Sequence, residues 1–276
     1  MSTHSLEEPL VSIIIVNYNG IACTREAVLS ILRFSRNSEV VVVDNCSADN
    51  SVDALRNEFP AIKVISLTEN KGFGYGCNRG ADAARGRYFF FLNNDTVLTQ
   101  DTPSALSAYM DENTRVGGCG PKLLHADGTY QLSFGLDPSF RNEWTVRRWQ
   151  QRSRNKDAAL HASLEQQYGN NKVDWVTGAA LMVRKDVFQR VGGFDESFFM
   201  YFEDADLCRR IRELGFDIMY LTGSTLIHLS GESAKKRKAI VDLEYRRSQV
   251  RYYRKHRSAI SALLVWLYVQ LRSVVH

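Results

Sequence analysis

The chain has 276 residues, 44% of them hydrophobic and 24% charged, which is the composition of an ordinary globular protein with one sizeable core. No apolar run follows Met1, and no other stretch has the roughly 18 uncharged residues of a membrane span, so neither a secretory leader nor a transmembrane helix is indicated. The five cysteines form no Cys-x-x-Cys pair, which disfavours a zinc or dithiol site and favours a reducing, cytoplasmic location.

The net charge of +4 is unevenly distributed along the chain. The segment from Lys235 to Arg257 contains ten Lys or Arg against two acids, a local charge of +8, so the rest of the chain sums to −4. No base-stacking module accompanies this basic segment, and an apolar helical stretch follows it. The pattern therefore argues against nucleic acid as a partner and favours anionic lipid headgroups.

From Leu10 onward, short apolar runs alternate with amphipathic helical stretches. The runs are rich in β-branched or aromatic residues, as in strands buried on both faces, and they lie at 10–18, 40–44, 62–67 and 88–92. This rhythm predicts an α/β fold with a doubly wound, mostly parallel, nucleotide-binding sheet. Such sheets bind ligands beyond the carboxyl ends of their strands. Polar or glycine-rich residues follow every run, at 17–19, 44–45, 70–76 and 93–95.

After about Thr114 the rhythm changes. A β-hairpin is predicted around Tyr130, followed by a polar stretch from Asp137 to Lys172 that has the composition of a mobile insertion. The remaining predicted elements are a strand over 174–183, a Gly192-Gly193 turn, a helix beginning near Glu203, and short strands around Ile218 and Ile227.

We expect one domain over residues 1–232, with a donor half at 9–115 and an acceptor half at 116–232, followed by a helical tail over 233–276. The last nineteen residues predict an apolar helix too short, at about 1.5 Å per residue, to cross a bilayer core of about 30 Å. With the basic segment before it, this helix is typical of an interfacial anchor on the inner face of the plasma membrane. The alternative is a helix docked on the domain or at a homodimer interface.

Two acidic residues stand at predicted strand ends. Asp95 closes the triplet Asn93-Asn94-Asp95 and offers an oxygen ligand to a divalent cation that bridges two phosphates; its alternative role is to cap the next segment. Asp44 is placed to accept a hydrogen bond from a base N–H or a ribose hydroxyl, or else to cap the following helix.

The glycines at positions 72, 74 and 76 resemble a dinucleotide-binding loop only superficially. Cys77 stands where that motif needs another glycine, and the loop follows the third predicted strand instead of the first, which disfavours an NAD enzyme. The glycines instead favour close approach of the backbone to a phosphate or sugar at a helix N-terminus.

Acids open the helix predicted near Glu203. The helix dipole and an Asp206–Arg210 pair explain part of this pattern structurally. The preceding aromatic residues, 199–202, would desolvate the first of these acids, and a desolvated carboxylate can act as a general base toward a sugar hydroxyl. His228 ends a late apolar strand and is either a hydrogen-bonded core residue or a ligand.

Seven motifs occur in the order expected for family 2 glycosyltransferases of the GT-A fold, and they resemble bacterial rhamnosyltransferases most. They are the segments 17–19, 43–51, 70–78, 93–95, 177–180 and 199–210 together with His228, and the match covers roughly residues 9–230. Two departures are Asn93, where the metal motif usually begins with aspartate, and Gly76-Cys77-Asn78, where many members have Ala-Arg-Asn.

The resemblance implies roles for single residues. Asp204 would be the catalytic base, Asp44 would read the nucleotide base, and Asp95 with His228 would hold Mg²⁺ or Mn²⁺ or the donor diphosphate. The other implied contacts to the nucleotide-diphosphate sugar are Asn17, Asn19, Lys71, Gly72, Asn78, Asn94, Gly178 and Glu203, with Asp95 and Asp44 completing the set.

The reaction implied is transfer with inversion of a sugar, L-rhamnose from dTDP-rhamnose by preference, to a glycan or polyprenyl-linked acceptor in cell-surface polysaccharide synthesis. A nucleotidyltransferase is disfavoured, because only Gly20 follows the first strand where that class has a glycine-rich loop. The alternative of another class is a non-catalytic subunit that binds a nucleotide sugar or a membrane surface.

Overall fold

The computed structural model describes residues 10–229 and 238–274, and structural statements refer to these residues. The strands are β1 (Val11–Asn17), β2 (Ser38–Asp44), β3 (Lys63–Ser66), β4 (Tyr88–Asn93), β5 (Thr96–Leu98), β6 (Val116–Leu124), β7 (Tyr130–Gln131), β8 (Phe134–Gly135), β9 (Asn171–Lys172), β10 (Trp175–Val176), β11 (Ala180–Arg184) and β12 (Asp217–His228). The helices are α1 (Ile21–Phe34), α2 (Ser51–Glu58), α3 (Phe73–Ala83), α4 (Thr102–Glu112), α5 (Phe140–Arg154), α6 (Ala158–Tyr168), α7 (Lys185–Arg190), α8 (Glu203–Glu213), α9 (Lys238–His256) and α10 (Ala259–Val274).

The main sheet has the strand order β3-β2-β1-β4-β11-β6-β12-β5. Its N-terminal strands, β1 to β4, are parallel, whereas β11 runs antiparallel to β4 and to β6. The predicted α/β fold with a mostly parallel sheet is thereby confirmed. The carboxyl ends of β1, β2 and β4 lie at one edge, as the polar residues after these strands require.

The central strands are apolar because both faces of the sheet are covered. Along β1, Ile13 and Ile15 pack into a core with α1 and α4, while Ile14 packs into a second core with α3 and α7. Each of these side chains is fully buried. Strand side chains alternate between faces, so a run without alternation in polarity indicates burial on both sides.

The segment 137–172, expected as a mobile insertion, instead forms α5 and α6, so that expectation is corrected. Ser139 and Asp157 cap the two helices by accepting hydrogen bonds from the backbone N–H groups of Asn142 and Leu160. Leu160 and Leu164 are buried in the second core. The surface of α5 is so polar that its sequence resembles a loop, and the caps are the signal that identifies a helix.

Two strand predictions also need correction. The strand expected over 174–183 is interrupted at 177–179 and forms β10 and β11. The separate strands expected around Ile218 and Ile227 are one strand, β12, with an irregular register between Leu221 and Thr225.

The tail helix α9 is docked on the domain. Asp137 accepts a hydrogen bond from the Tyr252 hydroxyl at 2.6 Å and is paired with Arg257 and Arg209. Lys255 pairs with Asp195 and Asp206 at 2.6 and 2.7 Å. Lys255 and Arg257 of the described basic segment therefore form ion pairs within the protein, and binding of this segment to lipid headgroups stays a prediction. The residues at 230–237, including the predicted domain boundary at 232, lie outside the described ranges.

The helix α10 is docked along one side only. Ala262 and Val265 are buried in a cluster with Phe198, Phe202 and Val250. The opposite side exposes Ile260, Leu263, Leu264 and Leu267, each at least 43% exposed. Within residues 10–229 and 238–274, no helix has both the length and the apolar character needed to cross a membrane.

Candidate active site

The ends of β1 and β2 are joined by buried polar side chains. Asn17 and Asp44 are register partners, and Asn17 Nδ2 donates to Asp44 Oδ1 at 2.7 Å. Asp44 Oδ2 accepts from the backbone N–H of Ser47 at 2.9 Å, and Asp44 is 1% exposed. Both carboxylate oxygens of Asp44 thus hold the strand-end loops in place, a structural role that accompanies its predicted contact with the nucleotide base.

The network extends to the neighbouring loops. Asn17 Oδ1 accepts from the Thr24 hydroxyl at 2.7 Å and from Asn94 Nδ2 at 3.3 Å. Asn19, which has a left-handed backbone with φ of 52°, accepts from the backbone N–H of Ala48 at 2.7 Å. The structure therefore brings together the predicted residues that follow β1, β2 and β4.

The glycine loop joins the same edge through Asn45. Asn45 Nδ2 donates to Asn70 Oδ1 at 2.8 Å and to the carbonyl of Gly72 at 3.0 Å. Gly72 precedes α3 with φ of 102°, and Lys71 beside it is half exposed. The N-terminus of α3 therefore lies at the strand ends, where backbone N–H groups and a lysine can meet an anionic ligand.

Asn78 lies apart from this group. Its Nδ2 donates to the Phe194 carbonyl and to Glu196, both at 2.9 Å, and its Oδ1 accepts from the Phe194 N–H. The side chain thus ties α3 to the segment before α8. The contact of Asn78 with the donor stays a prediction.

Asp95 and His228, which are far apart in sequence, are brought together by β5 and β12. These strands are antiparallel with Thr96 opposite His228, and His228 Nε2 lies 3.1 Å from Asp95 Oδ1. Gln131 Nε2 lies 2.9 Å from the other ring nitrogen, Nδ1. Both members of the pair are 13% exposed, so their polar atoms reach the surface of the site.

The Asp95–His228 pair can supply two ligands to a cation whose other ligands come from a bound diphosphate and water. Among residues 10–229 and 238–274 there is no group of three or more His, Cys, Asp or Glu that could hold a metal ion. Mg²⁺ is often bound by one or two carboxylates together with substrate phosphates, and imidazole is a common ligand of transition metals such as Mn²⁺. One carboxylate and one imidazole can therefore hold a cation whose remaining ligands are diphosphate oxygens and water.

Asp204 is anchored at the start of α8 by backbone donors. Its Oδ2 accepts from the N–H of Gly178 at 3.0 Å, and its Oδ1 accepts from the N–H of Ala205 at 2.8 Å. The Asn93 N–H donates to the carbonyl of Ala179 at 3.0 Å, so the segment 177–179 joins the metal motif to Asp204. A side chain at Gly178 would place its Cβ 3.1 Å from the Phe73 ring, which leaves little room for one.

The acids at the start of α8 are desolvated, as the sequence predicts. Burial raises the pKa of Asp204, against the effect of the backbone N–H donors. Burial, and then the negative charge of Asp204, raise the pKa of Glu203 well above its ordinary value. Glu203 Oε2 is buried without a hydrogen-bond partner in the described part of the chain. A carboxylate with a raised pKa is a stronger base, which suits proton abstraction from a hydroxyl.

Tyr201 and Phe202 form a strained turn immediately before these acids. Their φ angles are 67° and 65°, a region that bulky side chains rarely occupy and that costs about 1–3 kcal/mol per residue. Tyr245 of α9 packs on both rings, with centroid distances of 5.6 and 5.2 Å, and Tyr252 packs on Phe202 at 5.6 Å. The tail helix therefore supports the turn that presents Asp204.

The sequence pattern alone did not single out Tyr245 or Tyr252. The available signal is their seven-residue spacing, which places them on one face of a helix. The ring of Tyr245 also borders a cavity of about 220 Å³ beside Asp204, hereafter the Asp204 cavity, whose lining further includes Thr177, Trp175, Tyr201 and Phe202.

Comparison with known proteins identifies the family. Residues 12–192 match the model of glycosyl transferase family 2, and residues 158–230 match the model of the N-terminal domain of galactosyltransferase. N-acetylglucosaminyl-diphospho-decaprenol L-rhamnosyltransferase of Mycobacterium tuberculosis is 28% identical over 230 residues, covering 73% of this chain and 70% of that protein. The O-antigen biosynthesis protein RfbC of Myxococcus xanthus is 29% identical over 271 residues, covering 88% of this chain and 19% of that protein.

A solved structure shares the fold. The mannosyltransferase PcManGT from Pyrobaculum calidifontis, in complex with GDP-Man and Mn²⁺, superposes with a TM-score of 0.62 at 17% identity, over 91% of this chain and 64% of that one. At this identity the likeness shows the GT-A fold alone. The family match covers more than half of the chain and includes the β1, β2, β4 and glycine-loop residues described above. The chain therefore belongs to glycosyl transferase family 2 and is a GT-A glycosyltransferase similar to bacterial rhamnosyltransferases.

Proposed function

We propose that this protein transfers a sugar from a nucleoside diphosphate to an acceptor hydroxyl with inversion at the anomeric carbon. The observation that carries the proposal is the arrangement around the segment 177–179. This segment hydrogen-bonds to Asn93 beside the Asp95–His228 pair and to Asp204 at the opposite side. One short backbone segment thus hydrogen-bonds to the metal motif, where we propose that the departing diphosphate binds, and to Asp204, the proposed general base.

In this reaction Asp204 accepts the proton of the acceptor hydroxyl as its oxygen bonds to the anomeric carbon. The bond from that carbon to the phosphate oxygen breaks, and the nucleoside diphosphate leaves with the bonding electrons. The amides of Gly178 and Ala205 fix the orientation of the Asp204 carboxylate. Asp95 and His228 would hold a divalent cation, which when bound neutralises charge on the diphosphate.

The donor we propose is dTDP-rhamnose, and the acceptor a glycan or a polyprenyl-linked glycan of the cell surface. The support is the name of the Mycobacterium tuberculosis relative, which aligns with 73% of this chain. The relative from Myxococcus xanthus is named for O-antigen biosynthesis, which agrees with a role in cell-surface glycan synthesis.

Donor binding tests the proposal directly. Isothermal calorimetry would measure the binding of dTDP, UDP and GDP, each with Mn²⁺, Mg²⁺ or a chelator. The proteins compared are the wild type, Asp95→Ala and the control Asp53→Ala, which removes an exposed acid of α2. We expect metal-dependent binding of one diphosphate, weakened about tenfold or more in Asp95→Ala only, because a carboxylate ligand to the cation is lost. Failure of all three diphosphates to bind under every condition would show the proposal to be wrong.

We also propose that α10 contacts an anionic membrane surface on the cytoplasmic side through Ile260, Leu263, Leu264 and Leu267. These residues follow a helical repeat on the exposed side of α10, and interfacial helices bury such a face among lipid headgroups. Sedimentation with phosphatidylglycerol vesicles would compare the wild type with the combined variant Leu263→Gln, Leu264→Gln and Leu267→Gln. We expect the variant to lose about tenfold or more in vesicle binding, since it replaces three exposed leucines that would be buried among the lipids.

The matched control is Leu243→Gln, because Leu243 is a similarly exposed leucine on α9. Equal sedimentation of all three proteins would contradict the proposal. If instead the wild type is a dimer that the combined variant dissociates, measured by analytical ultracentrifugation, the exposed face of α10 is a subunit interface.

A further inference from the structure

The Asp204 cavity has the size of a site for one ring. Its volume of about 220 Å³ lies below the range of about 300–1,000 Å³ in which proteins bind drug-sized ligands. Aromatic side chains form one part of its lining, and Asp204 forms another. A sugar has an apolar C–H face and polar edges, so it fits a cavity with aromatic and hydrogen-bonding walls.

One face of α5 supplies further polar residues to the wall of the cavity. Glu143, Arg147 and Gln150 are spaced by four and three residues, so they lie on the same side of the helix, and all three line the cavity. Glu143 Oε2 accepts from Gln249 of α9, and the hydroxyl of Tyr253, also on α9, lies beside the same carboxylate. A carboxylate has about four acceptor sites, so Glu143 can still accept a hydrogen bond from a ligand hydroxyl inside the cavity.

Arg147 is placed at the mouth of the cavity. Its side chain is 43% exposed and lies 3.6 Å from Glu143 and 5.9 Å from the ring of Tyr245. Among the described residues that line the cavity it is the one Lys or Arg. An arginine at the mouth can hydrogen-bond an anionic group attached to a sugar held inside, and guanidinium geometry suits phosphate.

We propose that the Asp204 cavity is a subsite for the sugar of a glycosyl diphosphate acceptor. Glu143 accepts a hydrogen bond from a hydroxyl of that sugar, and Arg147 binds the diphosphate at the mouth. The inference rests on the proposed function, since it takes Asp204 as the base that activates another hydroxyl of the same sugar. It assigns acceptor recognition to α5 and to the tail helix α9.

Two acceptor substrates, one with and one without a diphosphate, test the Arg147 contact separately from the Glu143 contact. One is N-acetylglucosamine 1-diphosphate on a short polyprenyl chain, and the other is N-acetylglucosamine on a neutral alkyl chain. Steady-state KM and kcat would be measured for both with the full chain and dTDP-rhamnose, and binding of both would be measured by calorimetry in the presence of dTDP. The variants are Arg147→Met and Glu143→Gln, with Arg148→Met as the matched control because Arg148 is exposed and stacks on Trp144.

We expect Arg147→Met to raise KM for the diphosphate acceptor about tenfold or more and to change KM for the alkyl acceptor less than about twofold. Glu143→Gln should raise KM for both acceptors, and Arg148→Met should change neither. Binding of dTDP should be the same in every variant, which shows that each is folded.

An equal effect of Arg147→Met on both acceptors would overturn its contact with the diphosphate. Failure of the wild type to bind either acceptor while it binds dTDP would overturn the subsite and leave the proposed function in place. Failure to bind any nucleoside diphosphate would instead overturn the proposed function. Wild-type KM in Glu143→Gln would exclude Glu143 from acceptor recognition.

Discussion

Replacement of Asp204 by Asn is expected to lower sugar transfer by about 10³-fold while nucleoside diphosphate binding changes by less than about twofold. General bases contribute about 10²–10⁴-fold to rates, and an amide cannot take the acceptor proton. Asparagine has the size of aspartate and keeps an oxygen that can accept from the Gly178 N–H. Turnover and calorimetry on the same preparation check both expectations.

The pH profile gives a second readout for Asp204. Burial raises the pKa of its carboxyl, and a base acts only when deprotonated, so transfer should fall as pH decreases through that raised pKa. The acidic limb of kcat should therefore lie above the ordinary range of aspartate. Glu213→Gln, which removes an exposed acid at the other end of α8, should leave the profile unchanged. Full turnover in Asp204→Asn would exclude Asp204 as the general base and favour another base.

Replacement of Gly72 by Ala is expected to destabilise the fold and to abolish donor binding together. The new Cβ would lie 2.1 Å from the carbonyl oxygen of Phe199, and φ of 102° with ψ of 178° belongs to a region that is essentially restricted to glycine. A cost of about 3 kcal/mol or more follows, which corresponds to a decrease in Tm of about 6–12 °C. Differential scanning calorimetry and dTDP titration would measure the two effects.

Gly192→Ala separates backbone strain from the steric clash. Gly192 also has a positive φ, 77°, but among the described residues, its chain neighbours aside, no atom lies within 4 Å of an added Cβ. This variant should lose only about 1–2 kcal/mol and should bind the donor as the wild type does. Equal behaviour of the two variants would mean that contact with Phe199 has no part in shaping the loop at the N-terminus of α3.

The segment from β1 to β4 was predictable because its signals are local. Val40–Val43 form an uninterrupted apolar run, and such a run is compatible with few structures other than a strand covered on both faces. The residues just beyond the ends of β1, β2 and β4 had to meet at one edge, since parallel strands share their carboxyl ends. Asn17, Asp44 and Asn94 do meet there.

The rest of the site depends on contacts between distant segments. The pairing of Asp95 with His228 needs β12 to lie beside β5, which no local pattern dictates and which the family resemblance alone suggested. Glu143 belongs to a helix whose exposed surface resembles a loop in composition. The ion pairs of the basic tail were equally out of reach, because the acidic partners of Lys255 and Arg257 lie 60 and 120 positions earlier.

The position of α9 separates two stages in the synthesis of this protein. Polypeptides emerge from the ribosome N-terminus first, at about 5–20 residues per second. Every residue of the proposed donor site, as far as His228, is therefore made before Tyr245 and Tyr252, the rings that hold the strained turn at Asp204. A nascent chain can thus assemble the ends of β1, β2 and β4 while the support for its catalytic base has yet to be translated.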